Sequence, residues 1–257
     1  MKKFISLLSV VVILTAVVSL AACGDNKPAD EPDTTFTEKK SVTSEPVKIS
    51  ELPESTEDKL DMFNSALDYF DIYCMKYKKR VKCEVSGVNV GSLSAASNAV
   101  DAFKSVFGET DITTEFDFNK APESFTANII DGGFDKNDVS SAEAKQDRQN
   151  IVLTVTFPNE NNPDAQDGIL KRLSSEYIGA EKVKKNLGDF ASSAGSVSVL
   201  ASDITVTVTI SAVDSSVQKL TVSYIESFSL GNVKLVELEG SVVTGKSKTV
   251  ITYSNMK

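Results

Sequence analysis

Three cysteines, three tyrosines at helical spacing and an excess of carboxylates are the side chains in these 257 residues that could do chemistry. Cys23 stands directly after Leu20, Ala21 and Ala22, at the end of an apolar run. Cys74 and Cys83 lie close together further along. They could pair as a disulfide or stay as two buried thiols, because spacing alone does not fix a Cα separation. A bridge across so short a loop would add roughly 2–3 kcal/mol. Tyr69, Tyr73 and Tyr77 recur every fourth residue, a stripe that could meet a glycan or a protein, or flank a core-facing helix. Histidine is absent from the sequence. That excludes Ser-His-Asp and Cys-His catalysis, and zinc held by imidazole. Ser174 and Ser175 near Lys171 are a weak Ser-Lys pair, and no glycine-rich phosphate loop occurs. The residues therefore nominate no catalytic set and no cofactor.

The first 22 residues have a transport logic of their own. Lys2 and Lys3 precede an apolar run from Phe4 to Leu20, and small residues follow, which is the pattern of a secretory signal. As a helix the run is roughly 25 Å long, at the lower edge of what spans a bilayer. No cluster of basic residues follows to stop transfer. Leu20-Ala21-Ala22-Cys23 resembles the lipobox of bacterial lipoproteins. That resemblance covers only this N-terminal stretch. It implies cleavage between Ala22 and Cys23, diacylation of the Cys23 thiol, and a protein held on the extracytoplasmic face of the cell membrane. Two acyl chains give stable anchoring where one gives only marginal binding.

Composition narrows the partners. The formal charge is −9, and loss of Lys2 and Lys3 with the signal makes the mature chain more acidic still. Such a surface is a poor match to nucleic acid. A basic run, Lys76, Lys78, Lys79, Arg80 and Lys82, could touch anionic headgroups or simply complement a helix C-terminus. Two loops rich in oxygen ligands, 131–138 and 159–168, supply raw material for calcium. Neither meets the EF-hand pattern, and turn chemistry accounts for both, so no metal is assigned.

The elements that must position these residues follow from periodicity. Residues 23–54 read as the lipidated cysteine and a disordered spacer, polar and proline-containing, spanning on the order of 30 Å as a coil. The folded domain is expected over 55–257, with a subdivision conceivable near 158–164. Ser55 with Asp58 three positions later makes a capping signature. Leu60, Phe63, Leu67, Phe70, Cys74 and Tyr77 then keep a helical period, which predicts a helix running to the lysines around position 79. A short strand is expected at 81–85 and a second helix at 94–107, stopped by Gly108. Strands are expected at 112–118, 125–129 and 151–157, with a loop over 131–150. Asp164 should cap a helix through Ile169, Leu170 and Leu173, and another should carry Val183, Leu187 and Phe190. Four strands close the chain, at 204–210, 217–228, 230–238 and 241–253, parted by Gly231-Asn232, Gly240 and Gly245.

This order predicts an α+β class, helices packed on a curved antiparallel sheet, with two helix-plus-meander halves at 94–157 and 164–254. Function is expected to be binding, of an amphiphilic small ligand under the sheet or of an envelope protein. The carrier version needs an apolar pocket of about 300 Å³ or more. Two alternatives stay open. A carboxylate-based hydrolase of wall glycan or peptide needs two acids facing each other at about 5–9 Å. A structural interaction module needs an exposed apolar or aromatic patch.

Overall fold

The computed structural model describes residues 49, 51–90, 101, 104, 107–122, 130, 132–163, 168–187, 196–235 and 238–257. All of them belong to one unit, Lys39–Lys257. The signal, the lipobox and the spacer up to residue 48 lie outside the described residues. So do most of the helix expected at 94–107, the strand expected at 125–129, and Asp164 and Phe190.

The first element, α1 (Thr56–Tyr73), starts where the capping signature puts it. The Ser55 side chain accepts the Asp58 N–H at 3.0 Å, with Glu57 and Asp58 in the first turn. It buries Leu60, Phe63, Leu67 and Phe70 on one face. It then stops earlier than its periodicity predicts. Cys74 is its extended C-cap, and its N–H still reaches Phe70 O at 3.3 Å. From there the chain becomes β1 (Lys76–Asn89). Phe70, Cys74 and Tyr77 fit a period of three to four, yet Tyr77, Lys79, Cys83 and Val85 fit a period of two equally well. Strand wins because pairing is available on both sides. The segment is bonded to β2 (Thr110–Asp117) on one edge and to β8 (Leu238–Ser254) on the other.

The expected α+β class, with helices packed on sheet in two helix-plus-meander halves, is overturned. The protein is mostly antiparallel β, with about half of the described residues in strands and a fifth in helix. One sheet gathers the eight strands of the described residues, seven of them in the order β2-β1-β8-β7-β6-β4-β3. The remaining members are β3 (Ser141–Asp147), β4 (Asn150–Thr156), β6 (Ser196–Ser211) and β7 (Val217–Leu235), while β5 (Glu160–Asn161) pairs on β6. Strands of both supposed halves sit side by side, since β4 is bonded to β6, and β1, which precedes both, is bonded to β8. The short helices α2 (Ile169–Leu173) and α3 (Ala180–Leu187) lie where expected, but Gly168 rather than Asp164 is the N-cap of α2.

Alternation gives the sheet one packed face. On β6, Val199 and Ala201 point inward, and then Ile204, Val206, Val208 and Ile210. The parity changes because the register with β7 shifts between Ser202 and Thr205, where Asp203 takes a left-handed φ of 53°. One extra residue at a bulge swaps the faces of everything beyond it. The inner face packs on α1, so that Phe63 and Phe70 meet Leu153, Val206 and Leu220 in one cluster. Outward positions on the same strands are Thr205, Thr207, Thr221 and Thr252, β-branched residues that suit a half-exposed surface.

Two glycines expected to separate strands lie inside them. Gly231 pairs with Ser196, and a Cβ there would lie 2.5 Å from Ser196 Oγ. Gly245 pairs with Phe228, and a Cβ there would lie 2.6 Å from the Phe107 ring. That ring stacks on Phe228 with centroids 4.7 Å apart, so the glycine makes room for an aromatic laid across the sheet.

Candidate functional site

Where β1, β8 and β7 run together, their inner positions turn from apolar to polar. Reading across the ladder, Lys79 faces Tyr253, Cys83 faces Thr249, Tyr224 faces Thr249, and Glu226 faces Ser247. Lys79 is 4% exposed, Glu226 and Ser247 are fully buried, and Thr249 is 1% exposed. Polar groups at such depth need partners, since an unpaired one costs about 1–3 kcal/mol.

The segment joining α2 to α3 supplies several of them. Glu176 Oε1 takes the Lys79 ammonium at 2.8 Å. The Ile178 N–H is shared between the two Glu226 oxygens, at 2.9 and 3.1 Å. Ser174 Oγ in turn accepts the Glu176 N–H at 2.9 Å, which shapes the turn. Cys83 Sγ lies 2.8 Å from Ser247 Oγ. Burial pushes the Cys83 thiol up, with the charges of Glu226 and Glu109 adding to it. It is therefore a protonated, poorly nucleophilic thiol at neutral pH. The Tyr224 hydroxyl is pushed well above its ordinary value, first by burial and then by Glu226. Two hydroxyls of this cluster, Tyr224 Oη and Thr249 Oγ1, are buried without a partner among the described residues. Cys83, Tyr224 and Ser174 lie near them but do not meet them in hydrogen-bond geometry.

A cleft of about 110 Å³ opens onto this cluster. Its floor holds Val81, Cys83 and Thr249, and its rim holds Glu176, Lys182 and Asn186. A second cleft of about 250 Å³ lies at the start of α1, between Glu57, Leu60 and Asp61 and the loop around Phe134. That loop is tied down. Asn64 both donates to Phe134 O at 2.9 Å and accepts from Phe134 N at 3.1 Å. Arg172 lies 4.0 Å over the Phe134 ring. Neither cleft reaches the roughly 300 Å³ that a carrier of amphiphiles needs.

The sequence-nominated residues fare unevenly. Ala22 and Cys23 lie outside the described residues. Tyr69 and Tyr73 share a ring contact on α1, with centroids 5.3 Å apart. Tyr77 does not join them; it is a buried residue of β1 stacked on Phe116 at 4.9 Å, so the helical stripe ends after two members. Cys74 and Cys83 are both buried free thiols. Cys74 Sγ donates to Lys76 O at 3.3 Å, and Cys83 belongs to the cleft. The basic run is not the end of a helix, since the last turn of α1 has no cation. Lys76, Lys78, Arg80 and Lys82 instead point outward from β1, and three of them are paired with Asp117, Glu115 and Asp111 of β2. Ser174 is committed to its turn. In the 131–138 loop, Asp135 Oδ1 accepts from Asn137 N at 2.6 Å, and Asp138 Oδ2 from Asp135 N at 3.1 Å. Among the described residues no group of three acidic, cysteine or histidine side chains could hold a metal ion.

Sequence reasoning missed Glu226, Ser247 and Thr249. A usable signal existed. Counting in twos back from Tyr253 and Ile251 puts Thr249 and Ser247 on the inner face, alternating with the outward Lys246 and Lys248. No family model, curated protein or solved structure matches the chain.

Proposed function

We propose that the protein is a bacterial lipoprotein, anchored through acylated Cys23 on the extracytoplasmic face of the cell membrane, that acts by binding an envelope protein. The observation that carries this reading is the lipobox-like Leu20-Ala21-Ala22-Cys23 at the end of an apolar run headed by two lysines. Among the described residues no helix is long and apolar enough to cross a membrane. A protein partner is favoured over an amphiphile because the inner face is packed and the two clefts described above are small, with charged rims. Catalysis is disfavoured by the engagement of the two acids nearest the polar cluster, Glu226 with a backbone N–H and Glu176 with Lys79.

Replacing Cys23 by serine tests the anchor. The variant should accumulate as the unprocessed precursor or leave the membrane fraction, and its N-terminal peptide should lack the diacyl mass. Unchanged processing and membrane retention in Cys23→Ser overturn the reading.

A further inference from the structure

The sheet ends on two edges of unlike character. β2 closes one side and β3 the other, and no described strand pairs with them beyond β1 and β4. The neighbours of β3 show where its backbone groups point. In antiparallel pairing, successive residues send their N–H and C=O groups to alternate sides. Gln149 O accepts the Ala212 N–H at 2.8 Å, and Phe157 N donates to Ile204 O at 2.8 Å. Residues of β4 in phase with these two, the odd-numbered ones, therefore spend their backbone groups on β6. Its even-numbered residues serve β3, where Asn150 stands opposite Asp147. Along β3 it is then the odd-numbered residues that bond to β4. Ala142, Ala144 and Gln146 turn their N–H and C=O groups to the open edge. The side chains alternate as well. Ala142 and Ala144 pack on the core, while Glu143 and Lys145 are exposed on the outer face, with no ion pair among the described residues.

We propose that this edge binds a second copy of the chain, the two β3 strands pairing antiparallel about a twofold axis at Ala144. Ala144 then meets its own counterpart, and Ala142 meets Gln146 of the second copy. Each of these pairs exchanges both N–H···O bonds, so the open backbone groups of the edge are satisfied. Glu143 stands opposite Lys145 of the second copy, and Lys145 opposite its Glu143. These fall at the non-hydrogen-bonded positions, where Cα atoms are roughly 4.5 Å apart and side chains are closest. Sliding one copy by two residues keeps the backbone phase but sets Glu143 against Glu143 or Lys145 against Lys145. Charge therefore selects the register. An edge lysine ordinarily blunts pairing, yet here the glutamate two positions away answers it in a second copy. β2 lacks this complementarity: its outward charges are Asp111, Glu115 and Asp117, all acidic and already met by cations of β1. Pairing β3 with β3 closes at two copies, as an isologous contact must. The interface stands whether or not Cys23 carries lipid.

Sedimentation velocity of the full chain, in detergent and under reducing conditions, tests it over a series reaching about 1 mM. A reversible equilibrium of monomer and dimer is expected. Glu143→Lys and Lys145→Glu, both exposed changes, each make the two cross-strand pairs repulsive and should weaken the dimer about tenfold. Combining them restores opposite charges and should return the dissociation constant to within about threefold of the parent. Hydrogen exchange across the same series should show the amides of Ala142, Ala144 and Gln146 gaining protection as dimer forms. A monomer throughout, single variants that dimerise as tightly as the parent, a double variant no tighter than the singles, or a dimer that leaves those amides unprotected overturns the proposal.

Discussion

One strand carries the same side-chain chemistry in two environments. On its outer face, β1 presents Lys76, Lys78 and Arg80 to the acids of β2, with all the paired groups but Asp117 open to water. On its inner face it presents Lys79, almost wholly buried, to Glu176. Exposed pairs gain little, because water screens them and both side chains lose freedom. A buried ammonium has no such cushion, and removing its partner leaves an uncompensated charge. The outer ladder therefore tunes an edge, whereas the inner pair and its neighbour Glu226 fix where the α2–α3 segment sits.

Substitutions should separate the two faces. Glu226→Ala is expected to cost the most, about 3 kcal/mol in urea denaturation, since it opens a void and orphans the Ile178 N–H. An unchanged midpoint would mean that the loop is held by something else. Lys79→Ala should cost about 2 kcal/mol, below the full penalty for a buried pair because Glu176 keeps part of its surface in water. Lys79→Met, which keeps the buried stem, should recover much of that loss.

The buried thiols come next. Cys74 and Cys83 should react with a chromogenic disulfide reagent only after denaturation; fast reaction of the native chain would place Cys83 nearer solvent than its 4% exposure. Because burial raises the Cys83 pKa in the folded state, its contribution is present below about pH 8.5 and declines as pH rises through the folded value.

The outer ladder should give the smallest response. Hydrogen bonds from Arg80, Lys78 and Lys76 hold the carboxyls of Asp111, Glu115 and Asp117 below their ordinary range. A depressed folded pKa gives stability that is present above about pH 4 and lost as pH falls through the folded value. Amides of β2 should therefore open more often at pH 3 than at pH 6 after correction for intrinsic exchange, while those of β7 hardly change. Equal protection at both values would show the ladder to be inert.

How much of this was readable in the chain depended on which rule was in force locally. The Ser55 cap and the apolar face of α1 were legible because local chemistry decides them. The overrun to Tyr77 was not, since helix and strand periods coincide there and only pairing with β2 and β8 breaks the tie. The residues of β3 predict a loop, because the inward ones are merely Ala142 and Ala144. The first half of β6 was missed because the Asp203 bulge inverts its alternation. Gly231 and Gly245 have the sequence character of turn residues, although their role is to admit Ser196 and Phe107. The cleft itself draws on β1, β8 and α3, residues far apart in sequence, and no local pattern announces such a meeting.

The placing of β1 between β2 and β8 has a kinetic consequence. Its pairing with β8 joins Lys78 to Ser254 and Val81 to Ile251, closing a loop across most of the chain. Contacts so distant in sequence are slow to form, because the entropy of closing the loop comes before any reward. During synthesis the second ladder of β1 cannot form until β8 has emerged. An incomplete chain therefore stays unlatched until its final strand arrives, a delay that suits a protein proposed to cross a membrane before it folds.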